Sequence, residues 1–321
     1  MSAKKVLFVT SNRIGDCVIS SGVIREIARQ IPGAAITVAC GRPPAPFFRS
    51  APQVERVIVL DKKKAAGHWF GLWKQVVGTR WDLVIDIRGS ALAWLIPAKR
   101  RVVYNRSWET GLPKVEMVSR LMGADHALAP ELFIDARARS EAAAIIDPQL
   151  AAGPGPGRII ALAPIAHQPG KSWPADCWGQ LVARLKAERR FDGWRVMLVG
   201  GPGDHAPAAP ALAAAGDRAV DFVGRGDILA SAAAIDRADL FVGNDSGLMH
   251  VAAAAGRPTL GLFGPTEWWL YGPWGPTART AASNETRGQF APIEALSVDH
   301  VFEATVNLYD AFITGRDAAG P

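Results

Sequence analysis

Hydrophobic positions fall in short runs separated by polar turns, with stretches of helical spacing between them. Val6 to Val9 is an unbroken apolar run that reads as a buried strand. The polar turn Ser11 to Asp16 follows. Val18, Val23, Ile24 and Ile27 then recur at helical spacing as far as Gln30, and Pro32-Gly33 closes that helix. Ile36 to Ala39, Val57 to Leu60, Leu83 to Ile87 and Arg101 to Tyr104 are further strands, with a helix across Trp69 to Val77. Strands alternating with helices predict an α/β fold with doubly wound parallel sheets.

A helix over Ser140 to Ile146 precedes Asp147 to Gly157, in which six of eleven residues are proline or glycine. Residues 148–157 therefore read as a linker between a first domain, 1–147, and a second, 158–296. In the second domain strands are expected at Ile159 to Pro164, Arg195 to Val199 and Ala219 to Val223. Helices are expected at Ala175 to Arg190, Ala206 to Ala215 and Ile228 to Asp236. Leu240 to Thr266 is the clearest unit. An apolar strand meets the turn Gly243 to Ser246, Gly247 to Ala255 favours helix, Gly256 and Pro258 stop it, and Thr259 to Phe263 is a second strand. The Trp-, Gly- and Pro-rich stretch after Thr266 reads as irregular, and 297–321 as a terminal helix, Val298 to Phe312, with a tail.

A length of 321 residues agrees with two domains, and 49% hydrophobic residues supply ample core. The net charge of +6 favours an anionic partner. Cys17, Cys40 and Cys177 are widely spaced, which argues against a disulfide framework and for a reducing compartment. No run approaches the ~18 apolar residues of a membrane span, and the start is too polar for a signal peptide. A cytoplasmic protein is expected.

The candidate chemistry gathers in four places. In the Leu240–Thr266 unit a helix N-terminus at the carboxyl end of a strand offers free backbone N–H groups to an anion, most simply a phosphate. Asp245, Ser246 and Gly247 surround that terminus, and His250, four residues after Ser246, shares its helix face. Ser11 to Asp16 crowds Asn12, Arg13 and Asp16 into one turn after the first strand, where Asp16 is either an N-cap or a working carboxylate. His167 to Pro174 contains Gln168 and Lys171 directly after a strand. Its Gly-Lys-Ser resembles the end of a P-loop, but Ile165 stands where the first glycine belongs and Pro174 obstructs the helix. Gly201 to Ala206 is formally a dinucleotide fingerprint disturbed by Pro202, Pro207 and Pro210, with Asp204 placed to accept from a ribose hydroxyl.

No Asp-x-Asp occurs, and no histidines or cysteines stand at metal-ligand spacing, so no metal or other cofactor is expected. Lys62, Lys63 and Lys64, with Lys99 to Arg101, suit an acidic partner or a solvated face. No aromatic–basic stacking motif accompanies them, so nucleic acid is not expected.

The run D-S-G-x-x-H-x-A-A-A with a following strand and F-G-P-T, the turn R-I-G-D before V-I-S-S, and K-S-W-P ahead of a helix together resemble the heptosyltransferase family. The three signatures lie at 243–266, 11–16 and 167–174. The resemblance implies two facing Rossmann-like domains of GT-B type, the first binding acceptor and the second a nucleotide diphospho-sugar. It implies an inverting, metal-independent glycosyltransferase moving heptose from ADP-heptose to an anionic lipopolysaccharide core acceptor. Such an enzyme works in the cytoplasm, with peripheral association at the inner membrane. Asp16 would then be the base. Lys171, Gln168, Asp204, Asp245, Ser246, Gly247 and His250 would face the donor, and Asn12, Arg13 and Lys62 to Lys64 the acceptor. Gly22 departs from the family, which often has proline there. Two alternatives remain at this stage: an NAD(P)-dependent Rossmann enzyme, and a non-catalytic nucleotide-sugar-binding protein of the same fold.

Overall fold

The apolar runs become the strands of two all-parallel sheets. The computed structural model describes residues 3–61, 67–105, 111–154 and 157–313. The chain forms two units, Met1–Phe133 and Ile134–Pro321.

In the first unit the strands are β1 (Lys5–Val9), β2 (Ala35–Cys40), β3 (Val54–Val59), β4 (Trp81–Asp86) and β5 (Ala98–Val103), in the order β3-β2-β1-β4-β5. Val6 to Val9 are fully buried, as expected of a central parallel strand covered on both faces. The chain winds outward from β1 through β2 to β3, then returns to β4 on the other side of β1. The loops after β1 and β4 therefore diverge, and a crevice forms at their carboxyl ends.

The second unit repeats this logic with β6 (Ile159–Ala163), β7 (Arg195–Gly200), β8 (Ala219–Val223), β9 (Leu240–Asn244), β10 (Thr259–Phe263) and β11 (Ala278–Ala282). Their order, β11-β10-β9-β6-β7-β8, puts the reversal between β6 and β9. Trp173 and Trp178 meet edge to face at 5.3 Å in the core on this sheet. The helix Gly247–Ala254 carries the crossover from β9 to β10, and Gly256, at φ 71°, lets the chain turn out of it.

Four expectations need correction. The first helical pattern is two helices, Ile14–Ile19 and Gly22–Gln30. At the break the Ser20 and Ser21 hydroxyls donate to the carbonyls of Cys17 and Val18, at 3.2 and 2.6 Å. Side chains of this kind compete for helix carbonyls. Residues 148–152, read as linker, are instead the last turn of a helix, Ala136–Ala152, that includes Pro148. That helix packs against β8 and the helix Ile228–Asp236, so the division between units falls at 133/134 rather than near 150. Its end is fastened by buried Arg195, whose guanidinium donates to the carbonyls of Gln149 and Leu150 at 2.9 and 3.0 Å. Finally, the tryptophan-rich stretch read as irregular holds a short helix, Trp268–Tyr271. The edge strand β11, with its weakly apolar sequence ARTAA, carried too little pattern to be anticipated.

Candidate functional site

Both reversal points are occupied by sequence motifs singled out for their chemistry. In the first unit the turn after β1 places Asp16 in the first turn of the helix Ile14–Ile19. Arg13, not Asp16, is the N-cap residue, and no side chain caps this helix. Capping therefore does not account for the aspartate. Its carboxylate instead accepts a hydrogen bond from the Ser11 hydroxyl at 2.9 Å, and the residue is half-buried. Asn12 accepts from Arg88, which follows β4, at 3.0 Å, so the two diverging loops are bridged at the crevice. Arg13 is exposed. The turn is held close to the loop after β2: a Cβ on Gly41 would lie 2.6 Å from the Asn12 Cα, so only glycine fits.

Below this turn Asp86 is fully buried at the end of β4. Burial pushes its carboxyl pKa up. The Ser90 hydroxyl and the N–H groups of Arg88 and Ser90, all donating to it, act in the opposite sense. Sequence reading did not single out Asp86, Arg88 or Ser90. The available signal was their position at the end of the strand beside β1. Lys62 to Lys64 lie outside the described residues. Lys99 pairs with Asp82 at 2.6 Å, and Arg101 spends its guanidinium on the carbonyls of Ala93, Ile96 and Ala98.

In the second unit the loop after β6 runs through a turn closed by the Lys171 N–H on the Gln168 carbonyl at 3.3 Å, with Pro169 and Gly170 (φ 74°) at its corners. This is the residue chemistry of a type II turn. It aims Lys171 at the loop after β9, where the ammonium donates to the Asp245 carboxylate at 2.6 Å. The Lys171 side chain is 18% exposed and that of Asp245 7%. The Thr266 hydroxyl, after β10, donates to the same carboxylate oxygen at 2.7 Å. Asn244, fully buried, ties the two loops together: its amide donates to the Pro164 carbonyl at 2.7 Å and accepts from the Trp173 N–H at 3.1 Å. Neither Asn244 nor Thr266 was singled out in the sequence, although both stand inside the 243–266 signature.

The helix that follows opens at Ser246, whose extended backbone places it as N-cap but whose side chain caps nothing. Its Oγ is buried and has no hydrogen-bond partner. Leaving such a group unsatisfied costs about 1–3 kcal/mol. Gly247 adds no side chain to obstruct approach to the first-turn N–H groups, and His250 is buried one turn further along. The ion pair with Asp245 thus brings Lys171 beside the residue that precedes the Ser246 hydroxyl and an open helix N-terminus, a set of donors suited to an oxyanion.

The other loops do less. The helix after Lys171 starts only at Ala175, with Pro174 as its N-cap, so the P-loop geometry is absent. In the Gly201–Ala206 loop the Asp204 carboxylate accepts from the Gly201 N–H at 2.7 Å, and His167 approaches its other oxygen at 3.6 Å. A buried carboxylate therefore sits where a dinucleotide pyrophosphate would need N–H groups, which opposes the NAD(P) alternative.

Residues 113–291 match the model of the family described as Glycosyltransferase family 9 (heptosyltransferase). The chain belongs to this family. As a family 9 glycosyltransferase it has curated relatives such as the lipooligosaccharide heptosyltransferase 2 of Haemophilus influenzae, 23% identical over 294 residues, covering 81% of this chain and 83% of that one. Solved structures agree on the fold. The family 9 glycosyl transferase of Veillonella parvula has a TM-score of 0.82 at 18% identity, covering 97% of this chain and 98% of that one. ADP-heptose lps heptosyltransferase II of E. coli has a TM-score of 0.72 at 21% identity, covering 96% and 99%. The two parallel α/β units are those of a GT-B glycosyltransferase. The family match contains the 167–174 and 243–266 motifs, while the Asp16 turn lies before it.

Proposed function

We propose that this glycosyltransferase moves heptose from ADP-heptose to a lipopolysaccharide core acceptor, with inversion and without a metal, at the cytoplasmic face of the inner membrane. The observation that carries the reading is the donor set at the β6/β9 reversal: Lys171 held by Asp245 and Thr266, beside an uncapped helix and the unpartnered Ser246 hydroxyl. A diphosphate fits it. Lys171 and the helix dipole would offset the charge that develops on the leaving group. His250 and Gln168 belong to the same donor side, and the relative named for ADP-heptose supports that choice of nucleotide.

The acceptor is assigned to the first unit. Its hydroxyl oxygen forms a bond to the anomeric carbon from the face opposite the diphosphate. The bond from that carbon to the diphosphate oxygen breaks, ADP leaves, and the hydroxyl proton passes to Asp16. Asn12 and Arg13, on the same turn, position the acceptor. Asp204, closed onto Gly201, is a positioning residue for the donor loop in this reading.

Thermal unfolding in EDTA with ADP, UDP or GDP tests the donor assignment. ADP at a hundredfold excess over its Kd should stabilise the protein by about 2.7 kcal/mol, with the other two weaker. Among the described residues no three His, Cys, Asp or Glu side chains gather as metal ligands, so EDTA should change nothing. Stabilisation that requires added Mg²⁺ or Mn²⁺ would contradict the proposed phosphate site.

A further inference from the structure

Three of the four large hydrophobic side chains that are exposed among the described residues lie close together in sequence: Phe70 (57%), Trp94 (67%) and Leu95 (63%). Phe70 belongs to the helix Gly67–Val76, and Trp94 ends the turn Ala91–Trp94 that Leu95 follows; the two elements line a cavity of about 760 Å³ in the first unit. Trp69, Phe70, Trp73, Leu92 and Leu95 line it. The two elements are joined by the Trp73 indole N–H donating to the Leu95 carbonyl at 3.1 Å.

The polar groups of this cavity are largely committed. Ser90 donates to Asp86, and Arg88 donates to Asn12. A sugar placed there would leave most of its hydroxyls unpaired, whereas an apolar group would not. Three aromatic side chains of this face, Phe70, Trp69 and Trp94, also carry a cation over the ring. The Lys74 ammonium is 4.6 Å from the Phe70 centroid, the Arg88 guanidinium 5.1 Å from Trp69, and the Arg101 guanidinium 5.7 Å from Trp94. Exposed aromatic and aliphatic side chains interleaved with cations are the chemistry of an element that lies in the headgroup layer of an anionic membrane. No described helix is long and apolar enough to cross a membrane, so contact would be from the surface.

We infer that this face docks the protein on an anionic bilayer: Phe70, Trp94 and Leu95 enter the interface, Lys74 beside Phe70 meets phosphate headgroups, and a lipid chain fills the cavity. The inference gives a physical basis for the membrane location in the proposed function. It is tested with neither donor nor acceptor present, so it stands or falls separately from sugar transfer.

The experiment is sedimentation of the full chain with vesicles of phosphatidylglycerol in phosphatidylcholine, and with phosphatidylcholine alone. The parent should partition strongly onto the anionic vesicles only. The triple variant Phe70→Ser, Trp94→Ser, Leu95→Ser should lose about a hundredfold of that partitioning. Because all three side chains are exposed, it should keep the parent's unfolding temperature. Lys74→Glu should lose about tenfold or more on anionic vesicles. A parent that ignores anionic vesicles overturns the proposal, as does a triple variant that binds like the parent. It is equally overturned by a parent that is dimeric without binding vesicles and a triple variant that is monomeric, since the face would then serve a second copy of the chain.

Discussion

Asp16→Asn is expected to bind nucleotide sugar as the parent does and to transfer it about 10²- to 10⁴-fold more slowly. The substitution removes a proton acceptor and almost no volume. Its structural cost is small for reasons visible in the fold. The aspartate does not cap its helix, and its hydrogen bond from Ser11 at 2.9 Å can be accepted equally by an asparagine carbonyl oxygen. A fall in kcat at unchanged donor affinity and unchanged unfolding temperature therefore reports chemistry. Turnover within a few-fold of the parent would leave Asp16 as a polar residue of the turn and remove the proposed base.

Lys171→Ala is expected to weaken ADP and nucleotide-sugar binding by about 2–3 kcal/mol, about 30- to 150-fold in Kd. Adenosine should bind as before. The ammonium is paired with Asp245 at 2.6 Å and the aspartate is nearly buried, so removing the lysine leaves a carboxylate close to the incoming phosphates. Loss of a charge-assisted donor and gain of repulsion act in the same direction. The double variant Lys171→Ala, Asp245→Asn separates the effects. It should recover stability by neutralising the stranded carboxylate while affinity for ADP stays low. An equal loss of adenosine affinity would point to a disturbed loop rather than a phosphate contact.

What the sequence disclosed follows from how strongly each feature is written into local pattern. Fully buried strands such as β1 and β10 need unbroken apolar runs, and the helices Ile228–Asp236 and Val298–Phe312 carry their own caps, Asp227 and Ser297. Those elements were legible to within one residue, β1 beginning at Lys5 rather than Val6. The helix Ala136–Ala152 was not, because its last turn is stabilised from outside: Arg195 donates to the Gln149 and Leu150 carbonyls, and the Gln149 side-chain amide pairs with the Asp221 backbone, in a stretch whose proline and glycine content reads as a breaker. The candidate site shows the same division. Lys171, Asp245 and Ser246 stand in compact motifs after strands, where phosphate chemistry is recognisable. Arg88 meets Asn12 from 76 residues away only because β4 lies beside β1, an adjacency no local pattern contains. The exposed aromatic face around Phe70 and Trp94 was hidden for a related reason, since apolar residues in a helix and a turn read as core until the fold leaves them uncovered.

Transfer itself is the most direct measurement. The purified chain is incubated in EDTA with ADP-heptose and a delipidated lipopolysaccharide core acceptor, and released ADP and acceptor mass are followed together. Delipidation removes membrane docking from the result. The predicted outcome is ADP release that depends on acceptor, matched by acceptor molecules heavier by one heptose. Donor that binds but never turns over, or ADP release with no sugar on the acceptor, would contradict the assignment of this chain as a heptose-transferring enzyme.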